Sequence, residues 1–137
     1  MRGRAYTIVS VITVLAILGL AACAIVAKDL PTPLKSAKAD TLGAVLVGPN
    51  GMTLYTYVND KEPGKSVCNG SCAVNWPPFK ADANVQAAKE PLSVITRDDG
   101  SRQYAYKGQP LYYWRKDQKP GDITGHNAGN VWLVAKP

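Results

Sequence analysis

The residues able to do chemistry in this chain are few and fall into three groups. The first is the pair Cys68 and Cys72, in Cys68-Asn69-Gly70-Ser71-Cys72. The second is a set of aromatic and acidic residues that occurs twice: Tyr55, Tyr57 and Asp60, then Tyr112, Trp114 and Asp117. The third is Cys23, at the end of an apolar run, in Leu20-Ala21-Ala22-Cys23. The single histidine is His126. Outside the cytoplasm a close, isolated cysteine pair forms a disulfide, and a glycine among three intervening residues lets the sulfurs meet. Thioredoxin-like chemistry uses a two-residue spacing in a βαβ setting, and the chain offers neither. A metal site built from Cys68, Cys72 and His126, with Met52 as a further ligand, is the competing use of the same residues.

Cys23 is read through what precedes it. Met1-Arg2-Gly3-Arg4 is a short basic start, and Ile8 to Leu20 is an uncharged apolar run. That order is a secretory signal. The Leu-Ala-Ala-Cys ending resembles the bacterial lipobox, in which the cysteine thiol takes a diacylglyceryl group and small residues before it admit the peptidase. The expectation is a signal peptide over 1–22, cleaved before Cys23. Two alternatives stand beside it. Tyr6 to Ala27 is long enough to remain as an uncleaved anchor, and Ala22-Cys23-Ala24 fits a plain cleavage site. All three place the remainder outside the cytoplasm. Ala24, rather than aspartate, after the acylated cysteine favours the outer membrane if the cell has two.

The repeated set is in register. Leu54-Tyr55-Thr56-Tyr57-Val58-Asn59-Asp60 matches Leu111-Tyr112-Tyr113-Trp114-Arg115-Lys116-Asp117, 57 positions on, and Pro63-Gly64 falls on Pro120-Gly121. Val74 falls on Val131, and Trp76 lies one position from the equivalent of Trp132. In a strand, residues two apart share a face, so each aromatic pair presents one broad surface. The aspartate then sits before Pro-Gly, where a carboxylate can accept turn backbone N–H groups. One use of this unit is a folding device of core aromatics and a turn-closing acid. Another is an aromatic platform beside an acid, suited to a sugar or peptide. A third is a calcium site at Asp60 or Asp117, though calcium needs several oxygens together and only Asp117 has a neighbour, Asp122. Asp60 and Asp117 could also meet across the halves as a carboxylate dyad.

The elements that must hold these residues are short apolar or alternating runs broken by turn signals. Strands are expected at Leu42–Val47, Met52–Val58, Leu92–Thr96, Gln103–Lys107, Leu111–Trp114 and Val131–Ala135. Turns are expected at Gly48-Pro49-Asn50-Gly51, Asp98-Asp99-Gly100-Ser101 and Gly108-Gln109-Pro110. A helical turn at Ser71–Trp76, stopped by Pro77-Pro78, and a second helix at Asp82–Glu90 are the helix candidates. The fold class is mainly β: a small antiparallel domain over 41–137, built from two related repeats. In the second repeat an extra hairpin intervenes. A flexible lipid-anchored tether over 23–40 precedes it, carrying Pro31, Pro33 and three lysines without apolar periodicity.

The whole pattern resembles a family of predicted bacterial lipoproteins whose repeat carries Y-x-[FWY]-x-x-D, also called the secreted repeat of unknown function. The residues that carry the resemblance are Tyr55-x-Tyr57-x-x-Asp60 and Tyr112-x-Trp114-x-x-Asp117. Cys68-x-x-x-Cys72-Ala73-x-x-Trp76-Pro77-Pro78 and Gly108-Gln109-Pro110-Leu111-Tyr112 add to it. It covers about residues 42 to 137. The resemblance implies a secreted or lipid-anchored, repeat-built protein and adds no catalytic residues.

Charge narrows the partners. The chain carries a formal +6, of which Arg2 and Arg4 supply two, leaving about +4 after the leader. The remaining lysines and arginines are scattered, with no basic stripe and no nucleic-acid module. No nucleophile with a base and no carboxylate pair stands out as catalytic. The expected function is a lipid-anchored, non-catalytic envelope protein that binds another envelope component, without cofactor or metal. The alternative is a redox- or metal-linked periplasmic protein using Cys68, Cys72 and His126.

Overall fold

A computed structural model describes residues 30–85 and 89–137. The expected signal segment over 1–22 and the expected lipidation site Cys23 lie outside the described residues. The strands are β1 (Lys35–Ala39), β2 (Gly43–Val47), β3 (Tyr55–Tyr57), β4 (Leu92–Thr96), β5 (Arg102–Tyr106), β6 (Gln109–Pro110) and β7 (Trp132–Val134). One short helix, α1 (Ser71–Asn75), and a 3₁₀ turn at Ala128–Asn130 complete the elements. All sheets are antiparallel: β1 with β2, β3 with β7, and β4 with β5 and β6. The fold is mainly β with two repeats, as the sequence pattern implies.

The centre is the meeting of β3 with the second motif segment, where the strand expected at Leu111–Trp114 is reduced to isolated bridges at Tyr112. Tyr55 N–H donates to the Tyr112 carbonyl at 2.8 Å, and Tyr112 N–H returns a bond to the Tyr55 carbonyl at 3.0 Å. Such a doubly bonded pair is the middle of an antiparallel ladder, and a pseudo-twofold axis passes through it. Other backbone bonds obey the same axis. Leu46 N–H to Ala135 and Leu54 N–H to Leu46 have their counterparts in Tyr104 N–H to Phe79 and Leu111 N–H to Tyr104. Val58 N–H to Val131 matches Arg115 N–H to Asn75.

Neighbouring residues of a strand face opposite ways, and here both faces are covered. Leu54 and Leu111 enter one core with Leu46, Phe79, Leu92 and Tyr104. Tyr55 and Tyr112, one residue on, enter a second core with Val45, Cys68, Trp76 and Trp132. That explains why the motif strands read as nearly unbroken apolar runs. The chain turns after each motif at Gly64 and Gly121, both at positive φ (77° and 94°) that a Cβ would strain. α1 ends at Trp76, whose φ of −119° is the extended geometry demanded before Pro77.

Four local expectations change. The tether does not extend to Asp40: Lys35–Ala39 is strand β1, bonded in register to β2, and Leu34 is buried in the first core. Its lysines and small residues concealed it, because strand formation here comes from backbone pairing and one anchoring leucine rather than from apolar alternation. It follows that β4–β5 is not an added hairpin: β1–β2 is its counterpart, with Leu34 opposite Leu92. Of the expected helix at Asp82–Glu90, the described residues Asp82–Val85 and Lys89–Glu90 form turns or irregular chain. Gln109–Pro110 is a short strand rather than part of a turn, the turn being Lys107-Gly108.

Candidate functional site

The motif acids and tyrosines are joined across the axis. Tyr55 donates its hydroxyl hydrogen to Asp117 Oδ2 at 2.6 Å, and Tyr112 donates to Asp60 Oδ2 at 2.5 Å. Each acid spends its other oxygen on its own half. Asp60 Oδ1 accepts Val67 N–H at 2.7 Å, and Asp117 Oδ1 accepts Thr124 N–H at 3.0 Å and the Thr124 hydroxyl at 2.6 Å. Each carboxylate therefore fixes the loop seven residues downstream and, at the same time, the opposite half. The two aspartates do not pair with each other. Both are buried. Burial pushes the Asp60 carboxyl upward, against the lowering effect of the Tyr112 and Val67 bonds and of Arg97. Burial, then the neighbouring aspartate, pushes both tyrosine hydroxyls well above their usual range.

Over these pairs lies a column of four rings. Tyr57 stacks on Trp132 at 4.2 Å, Trp132 on Trp76 at 3.9 Å, and Trp76 on Trp114 at 4.0 Å between centroids. Tyr55 and Tyr112 meet Trp76 and Trp132 edge-on. Offset stacks and edge contacts are the favoured ring geometries. The axis runs between Trp76 and Trp132, so each half contributes equally. Trp76 and Trp132 are buried, while Tyr57 and Trp114, at the ends, are partly exposed. The column needs the loop before His126 to come close: a Cβ on Gly125 would lie 2.7 Å from Trp76 and 2.9 Å from Trp114.

Cys68 and Cys72 are joined as a disulfide with Cα atoms 5.2 Å apart. His126 Nδ1 accepts Val134 N–H at 3.2 Å. Among the described residues no group of three or more His, Cys, Asp or Glu side chains is gathered as a metal would require. The Cys68, Cys72 and His126 set is thus not assembled as ligands. Asp122 does not join Asp117 in an oxygen cluster; its Oδ2 accepts Gln118 and Lys119 N–H groups.

Sequence reasoning missed Arg97. Its guanidinium is buried and donates to Ser66 Oγ, Gln103 Oε1, Asn69 Oδ1 and the Cys68 carbonyl. Ser66 Oγ in turn bonds the Tyr112 hydroxyl at 2.7 Å. The disulfide loop is thereby tied to the β4–β5 hairpin and to the Tyr112–Asp60 pair. By the symmetry of the backbone bonds, the other half places Ala39, Val45 and Ile123 where this network has Arg97, Gln103 and Ser66. Arg97 stands beside Asp98-Asp99-Gly100, so in sequence it reads as one more charge at a hairpin tip.

Comparison with known families agrees with this duplication. A family model described as a secreted repeat of unknown function matches residues 36–80 and, a second time, 93–136. The chain belongs to that family. Each match begins in one of the paired hairpins, at β1 and at β4, and so contains one complete half. The secreted-repeat description places the protein outside the cytoplasm. No curated protein and no solved structure matches the chain. Among the described residues no helix is long and apolar enough to cross a membrane.

Proposed function

We propose that this secreted repeat is a non-catalytic binding module of the cell envelope, held at a membrane surface by a diacylglyceryl group on Cys23. The observation that carries the reading is the fate of the motif acids. Asp60 and Asp117 are the groups best suited by sequence to acid–base or ligand chemistry, and both are buried with tyrosine and backbone donors on their oxygens. A general acid or base must reach the proton it transfers, and these carboxylates reach only their own fold. The motif then acts as a clasp between halves, and the work of the protein lies on its surface. The anchor rests on Leu20-Ala21-Ala22-Cys23 behind an uncharged apolar run, and Ala24 directs it to the outer membrane where a cell has two.

Two measurements test this. Mass analysis of the membrane-extracted protein should find a diacylglyceryl cysteine as the first residue; an intact Met1, or a start beyond Cys23, overturns the anchor. The intact chain should co-sediment with a purified insoluble cell-wall fraction. Absence of retention at low salt overturns the binding role.

A further inference from the structure

The duplication supplies an internal control. Where both halves need only to pack, their equivalent positions should carry similar residues, and a place where one half turns polar requires another reason. Such a place lies between β3, β6 and β7. It is a cleft of about 250 Å³ whose walls include Thr56, Tyr106, Lys107, Gln109, Leu133 and Lys136. The counterpart region of the other half is built differently. Thr56 corresponds to Tyr113, Gln109 to Met52, and the turn Lys107-Gly108 to Pro49-Asn50-Gly51. There the Tyr113 ring packs on Phe79 at 5.5 Å, and its hydroxyl ends so close to Gly48 that a Cβ would lie 2.1 Å from it. The fold is satisfied by largely apolar packing at that place. In the cleft, Thr56 and Gln109 are partly exposed, and the Thr56 hydroxyl and the Gln109 amide take no hydrogen-bond partner among the described residues.

Lys107 adds a second, independent observation. It occupies the first position of a two-residue hairpin turn, with φ of +50°, followed by Gly108 at +79°. That turn favours Asn, Asp or Gly, because a Cβ is strained in the left-handed region. Strained positions concentrate where function requires a particular side chain. The Lys107 ammonium stands 5.0 Å from the Tyr106 ring centroid, at the cleft wall. Among the described residues no acid lines the cleft, and Leu133, 38% exposed, gives it an open apolar side.

We propose that this cleft binds one anionic sugar ring of the hexuronate class. The carboxylate pairs with Lys107, ring hydroxyls bond to Thr56 and Gln109, and the C–H face of the ring lies on Leu133. A ring-sized space with a few polar groups over an apolar floor is the usual build of a small-ligand site. This rests on the binding role given above and names its ligand class.

The test uses the full chain in non-ionic detergent, titrated with glucuronate, glucose and inorganic phosphate by ligand-observed NMR. Glucuronate should bind at least about tenfold more tightly than glucose or phosphate, and added salt should weaken it, as for an exposed charge pair. Lys107→Asn should raise the melting temperature by relieving the turn while losing glucuronate about tenfold. Gln109→Met, which imports the residue of the other half, should keep the fold and weaken binding. Equal binding of glucose or of phosphate, no glucuronate binding, or variants that bind as wild type would each overturn the proposal. If the wild type and both variants co-sediment equally with cell wall, the cleft assignment fails and the binding role stands. If the wild type is not retained at all, the binding role itself fails.

Discussion

Tyr112→Phe removes one oxygen from the centre of the fold. The ring keeps its edge contact with Trp132 at 5.1 Å, so packing is little changed. What is lost is the donor to Asp60 Oδ2 at 2.5 Å and the partner of Ser66 Oγ at 2.7 Å. Both bonds are buried, so bulk water does not readily replace the missing hydroxyl. A hydrogen bond to a charged group contributes about 1.5–3 kcal/mol, and an orphaned buried acceptor costs a similar amount. For a domain of this size each kcal/mol moves the melting temperature by about 4–8 °C. The variant should therefore melt roughly 6–24 °C below wild type at neutral pH. The Tyr112 bond lowers the Asp60 carboxyl, which burial otherwise raises. Its loss should let Asp60 take up a proton at higher pH, so the deficit should shrink as pH falls through the Asp60 range. Tyr57→Phe is the control, since it loses only an exposed bond from Asn59 at 2.9 Å and should stay within about 0.5 kcal/mol. Thermal and urea unfolding of both variants decide the matter. A Tyr112→Phe protein as stable as Tyr57→Phe refutes the clasp.

Three further outcomes follow from the same geometry. Above about pH 10 the unfolded chain releases tyrosine protons that Tyr55 and Tyr112 retain when folded, so stability should be flat below pH 10 from this source. It should then fall by about 1.4 kcal/mol per pH unit for each tyrosine, and urea midpoints that do not move between pH 10 and 11.5 would contradict this. Gly125→Ala should cost about 1–3 kcal/mol by overpacking, because its Cβ would meet the Trp76 ring at 2.7 Å; an unchanged melting temperature and tryptophan emission would show that the column yields freely. Reduction of Cys68–Cys72 should cost only about 2 kcal/mol, as expected for so short a loop, and a reduced protein that is unfolded at 25 °C would mean that the bond carries far more of the fold.

Much of the fold is legible in the residues themselves. The 57-position offset shows the duplication, and the turn residues bound β2, β4, β5 and α1 to within a residue or two. Periodicity reports which face a side chain takes and where an element stops, and both are local properties. β1 is the failure that repetition itself could have corrected. Carrying the duplication back, with the offset becoming 58 because the Lys107-Gly108 turn is one residue shorter than Pro49-Asn50-Gly51, places Leu34 opposite Leu92, and both are buried in one core.

The candidate site divides along the same line. The sequence by itself determined that two copies of a Tyr-x-aromatic-x-x-Asp segment exist, that a cysteine pair follows the first, and that a basic start and an uncharged apolar run precede both. Only the tertiary structure decided what they do. The sequence suggests an aspartate serving its own turn, whereas each also takes the tyrosine of the other half, across 62 positions for Tyr55 and Asp117 and 52 for Asp60 and Tyr112. Nor does a sequence tell a buried Arg97 from an exposed one, since burial of a charge depends on whether distant partners arrive to satisfy it. Local pattern fixes strands and their faces; the pairing of those strands across the axis fixes which polar atoms lose water, and hence which become clasp, column or cleft.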